Sequence, residues 1–148
     1  MSGIFLYLLL QLFSFLGAAF AFWKGGPAER FSAAVVVGNL LIGMSGQWLA
    51  YEHVQMIRLC NDGLAAVAML IVTVRYGALW MGGVMLFYAA QFSLQSYYLV
   101  TDRPGNDYLY ALVNNIDWNG VIWCLIIGTA VAWRQRVRAA RLAAPPAP

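Results

Sequence analysis

The sequence predicts an all-α integral membrane protein, a bundle of about five transmembrane helices. Three observations predict it. The chain of 148 residues is 62% hydrophobic and only 10% charged, where a soluble domain would be roughly a quarter charged. A chain of this size cannot hide so much apolar surface in one core, so most of that surface must face lipid. The apolar residues also come in runs about as long as the ~20 residues that cross a bilayer, separated by short polar breaks.

The first run, over 3–23, carries no charge. It lacks a basic leader and is longer than a signal-peptide core. It is therefore read as a retained helix, with cleavage near the small residues at 18–21 as the alternative. "KGGPAER" (24–30) has two glycines, a proline and three charges, a loop signal. A second span follows over 31–50. "YEHVQMIRLCNDG" (51–63) is the most polar stretch of the body. It holds the chain's single histidine, His53, with Glu52, Arg58 and Asp62, and no Gly or Pro before Gly63. The third span, 56–76, begins within it; without that span the chain has four helices. Arg75 and the glycines after it mark a weaker break before a fourth span over 79–100. "TDRPGND" (101–107) is a second clear loop, and the fifth span covers 110–133. Residues 1–133 thus form one bundle. Residues 134–148 form a tail, basic and then Ala/Pro-rich, whose final "LAAPPAP" has nothing to pack and is expected to be disordered.

Charge sets the orientation. Arg134, Arg136, Arg138 and Arg141 follow the last span and read as a cytoplasmic topology anchor rather than a nucleic-acid contact. With five spans the N-terminus is outside. Lys24, Arg30, Arg75 and the four tail arginines are then inside, against Arg58 and Arg103 outside. Four spans would move Lys24 and Arg30 outward and weaken the bias. The alanine, arginine and glycine usage fits a bacterial inner membrane.

Polar residues recur at helical spacing. Tyr7, Gln11, Ser14, Ala18 and Ala21 form one stripe; Asn39, Gly43, Gly46 and Gln47 a second; Tyr88, Gln91, Gln95 and Tyr98 a third; Asn114, Asp117, Cys124 and Gly128 a fourth. Gln11, Asn39, Gln47, Gln91 and Gln95 are expected to bond between helices. Trp23, Trp48, Trp80, Trp118 and Trp133 lie near span ends, as an aromatic belt requires.

Chemistry-bearing motifs are missing. Cys60 and Cys124 belong to no CxxC or Cys/His cluster and are expected to be buried and inert. No nucleophile elbow, zinc helix or phosphate loop is present, and His53 has no identifiable serine or cysteine partner. No enzyme, metal or cofactor is expected.

Two aspartates remain. Asp62 either caps a helix that starts at Gly63 or pairs with Arg58 four residues earlier, on a helix that starts near 55. Asp117 sits in "NNIDWNG" (114–120), and a carboxylate within a span marks a function by default. Asp62, Asp117, Glu52, His53, Arg58, Asn114 and Asn115 are the candidate wall of one outer-face cavity that takes a cation or a proton. The other account places both aspartates at interface depth, in structural roles. Two functions follow. The first is a non-enzymatic subunit or accessory protein, partnered by the bilayer and by another membrane protein or a second copy. The alternative is a small transporter, channel or holin-like pore.

Overall fold

The computed structural model describes residues 2–49, 54–103 and 107–143. The chain is all-α, with five helices in the order α1 (Ser2–Lys24), α2 (Pro27–Leu49), α3 (Val54–Tyr76), α4 (Leu79–Val100) and α5 (Tyr108–Ala143). No strand occurs among the described residues.

The breaks follow from local chemistry. The expected loop at 24–30 shrinks to Gly25 and Gly26, because Pro27 is well placed as a first helical residue and starts α2 early. Glu29, three residues past Gly26, reaches back to accept the Gly26 N–H at 2.6 Å, the reciprocal half of a capping box. At the far end of α3, Gly77 takes φ +64 and donates its N–H to the Thr73 carbonyl. That left-handed geometry suits glycine and ends the helix. Asp107 caps α5, its Oδ1 accepting the Tyr110 N–H at 2.7 Å. The Tyr98 hydroxyl donates to the same carboxylate.

These donors hold the Asp107 carboxyl below the usual carboxylate range, the Tyr110 N–H first and the Tyr98 hydroxyl second. A depressed folded-state value contributes stability above the ordinary carboxylate range, and that contribution is lost as pH falls through the folded value. Asp107→Ala is therefore expected to lower the thermal midpoint at neutral pH and leave it unchanged in acid. Asp107→Asn is expected to keep the cap and lose the pH dependence. Melting curves from pH 3 to pH 7 check both.

The helices form a closed ring. Each packs on the next, and α5 returns to α1. Chain neighbours run antiparallel, whereas α1 and α5 run parallel. One end of the ring carries the starts of α1, α3 and α5 and the ends of α2 and α4. The other carries both tight turns and the end of α5.

The α4–α5 seam interlocks side chain by side chain. A Cβ at Gly128 would clash with the Trp80 ring, and one at Gly120 with the Phe87 ring. Between them a Cβ at Gly83 would lie 2.9 Å from the Cys124 sulfur. Glycine on one helix thus faces a bulky group on the other, three times in constant register. Trp80 packs against the core and Trp118 donates to Ser14 at 2.8 Å, so these two rings turn inward rather than joining a belt. The exposed Trp23 and Trp133 both lie within 5.1 Å of the Lys24 ammonium. Cys124 is half-buried, but Cys60 is exposed, contrary to expectation.

Polarity is distributed from the inside out. Asn39, Asn61, Asp62, Gln91, Gln95 and Asp117 are buried, while Leu8, Leu12, Leu64, Ile71 and Leu86 are each more than half exposed. Among the described residues, two helices, Val54–Tyr76 and Tyr108–Ala143, are long and apolar enough to cross a membrane.

Candidate functional site

Three helices meet at Asp62. The carboxylate lies more than two turns inside α3, because the polar stretch from Val54 is already helical. Asp62 is therefore no cap. It does not pair with Arg58 either: its Oδ1 accepts the Asn39 amide from α2 at 3.0 Å, and its Oδ2 accepts the Gln95 amide from α4 at 2.8 Å. Asn61 beside it donates to the Asn39 backbone carbonyl at 2.8 Å. One carboxylate and three amides thus hold α2, α3 and α4 together. In a low-dielectric interior such a satisfied network is rigid.

Beside this clamp lies a cavity of about 300 Å³ to which all five helices contribute. Asp62, Asn39 and Gln95 line it from α3, α2 and α4, and Gln11, Asn114 and Trp118 line it from α1 and α5. Gln91 donates to Asn114 at 3.3 Å. Half-buried Arg58 and exposed Asn115 also line it, close to the end where α1 begins. Toward the opposite end the interior turns apolar: Met69, Val84, Val121 and Leu125 are fully or almost fully buried. The cavity stops there.

Asp117 is buried too, but it does not line the cavity, and its Oδ2 has no hydrogen-bond partner. The cavity expected around two carboxylates has one in its wall. Asp117 follows Asn114 by three residues, so it sits about one turn deeper along α5. Glu52 and His53 lie outside the described residues, as does the side chain of Gln47. Gln91 and Gln95 turn inward as their stripe predicts. The stripe did not reveal that Gln95 would meet a carboxylate, because helical spacing within one helix carries no information about its neighbour.

The other end is organised by Arg136. The helix expected to stop at 133 continues to Ala143, and Arg136 turns back from it onto the α1–α2 turn. Its guanidinium donates to the Lys24 carbonyl at 2.7 Å and lies 3.5 Å from Glu29. It thereby caps the end of α1 and meets the carboxylate that starts α2. Arg134, Arg138 and Arg141 are exposed and share one face of the protruding helix. The four arginines expected to act together therefore divide, with Arg136 structural.

Among the described residues no group of His, Cys, Asp and Glu is placed to hold a metal ion. The chain matches no protein-family model, no curated protein and no solved structure, so the reading of the cavity rests on its own geometry.

Proposed function

We propose that this chain is a five-span protein of the bacterial inner membrane, N-terminus outside, which binds a small polar solute in a cavity facing the outer side. One observation carries the reading. One half of the interior is polar while large apolar side chains cover the surface, the reverse of the usual soluble arrangement. Leucines more than half exposed around buried Asn, Gln and Asp are at ease only where the solvent is lipid. Basic residues support the orientation, since Lys24, Arg30, Arg75 and the arginine helix share one end of the ring. The apolar layer beyond the cavity favours a site closed on its inner side over a continuous pore. Binding and release through that cavity require no covalent chemistry.

A second reading, an accessory subunit packed on another membrane protein, is favoured by a different feature. An apolar hollow of about 240 Å³ lies between α2 and α3, walled by Ile42, Met56, Ile57, Cys60 and Leu64. It accepts an apolar side chain from a partner helix. Purification in mild detergent with mass spectrometry distinguishes the two, because only this reading requires a stoichiometric partner.

Orientation is tested by labelling, with Cys60 and Cys124 first replaced by alanine. Gly105→Cys is expected to react with an impermeant thiol reagent in intact cells, and Pro27→Cys and Ala78→Cys only after lysis. Reaction of Pro27→Cys in intact cells, or of Gly105→Cys only after lysis, would overturn the five-span orientation.

A further inference from the structure

We propose that the cavity's ligand is a small zwitterion of the amino-acid type, with its ammonium against Asp62 and its carboxylate toward Arg58. This rests on the solute-binding reading and adds the ligand's charges to it.

Three observations carry it. Both oxygens of Asp62 accept from neutral amides, and among the described residues no ion pair joins Asp62 to a cation. The wall therefore holds a carboxylate that is oriented by amide dipoles and paired with no cation among the described residues. Next, Gln91 is 4% exposed, lines the cavity, and leaves its Oε1 without a hydrogen-bond partner. The Oε1 of Gln11, which lines the cavity from α1, is likewise without a partner. A carboxylate and two residues with unpartnered buried acceptors in one cavity lining match an ammonium group, which carries three N–H donors and no acceptor.

The third observation is Arg58. It lines the same cavity one helical turn nearer the rim, about 6 Å along α3 from Asp62. No carboxylate among the described residues lies within ion-pair distance of it. Its planar fork of donors suits a carboxylate. A simple cation would meet the repulsion of Arg58, and a simple anion that of Asp62. A ligand bearing both charges answers both, and the exposed Asn115 amide adds a further polar group at the rim. The volume, about 300 Å³, is at the small end of ligand sites. That points to a short side chain.

The test uses the full-length protein in lipid nanodiscs, titrated calorimetrically with L-alanine, ethylammonium and propionate. L-alanine is expected to bind roughly tenfold or more tightly than either singly charged probe, the scale of one charge-assisted hydrogen bond. Arg58→Gln is expected to erase the advantage over ethylammonium, and Asp62→Asn the advantage over propionate. If Asp62→Asn fails to fold, the wild-type titrations and Arg58→Gln decide alone. The proposal falls if either singly charged probe binds as tightly as L-alanine, if Arg58→Gln leaves alanine binding unchanged, or if none of the three binds. Labelling of Asn115→Cys in a cysteine-free background separates this from the cavity reading. Labelling from outside without ligand binding sinks the zwitterion alone. No labelling sinks the outward-facing cavity and the zwitterion with it.

Discussion

Asp62→Ala is expected to destabilise the bundle by about 2–4 kcal/mol. The substitution strands the amides of Asn39 and Gln95, which lose their only acceptor among the described residues. A buried donor left unmade costs about 1–3 kcal/mol in general, and interhelical bonds in bilayers are worth ~0.5–2 kcal/mol each. Asp62→Asn should cost far less, because Gln95 can turn its amide and present its oxygen to the new NH2 group. Unfolding in mixed micelles with rising SDS measures both. Equal stability of Asp62→Ala and the wild type would show that the three-helix clamp does not bear weight.

The second large effect lies on the α4–α5 seam. Gly128→Leu and Gly120→Leu each put a side chain where the Trp80 or Phe87 ring sits. Overpacking of this kind costs about 1–3 kcal/mol. The two sites are eight residues apart, about 12 Å along α5, so the effects should add to within ~0.5 kcal/mol. The opposite sign is expected at Gly38 and Gly82, where a Cβ would enter open space. Alanine there should stabilise by up to ~1 kcal/mol, because a helical glycine loses more backbone entropy on folding. The same SDS titration reads all four variants. A stable Gly128→Leu would mean that Trp80 can leave its glycine at little cost.

The positions of the two aspartates separate what local sequence signals determine from what packing determines. Helix number and most ends were legible, because run length and Gly, Pro and charge are local signals. The start of α3 lay in a stretch with neither Gly nor Pro, so capping and pairing both remained open for Asp62. Its actual partners lie 23 and 33 residues away along the chain. Which helix neighbours which, and in what register, is decided by packing such as glycine against ring, and no stripe on one helix encodes it. The separation of Asp117 from the cavity has the same origin. Its one-turn offset from Asn114 was readable, but not where the polar space ended. Charge alone groups Arg136 with its neighbours, because it does not reveal that the helix continues and folds one arginine back.

The parallel α1–α5 seam bears on the order of assembly. Ser14 receives its bond from Trp118, 104 residues later, and the carbonyl of Lys24 from Arg136, 112 residues later. Four seams can close between neighbours as each new hairpin is made, but the contacts of α5 with α1 and α2 wait until almost the whole chain exists. Until then α1 has only α2 beside it, and the Ser14 and Lys24 groups lack their final partners. Contacts so distant in sequence form late and slowly. The ring is therefore a latch rather than a zipper: the first helix made is the last to be fastened. Truncations that remove the end of α5 should release the beginning of the chain, at the far end of the sequence from the cut.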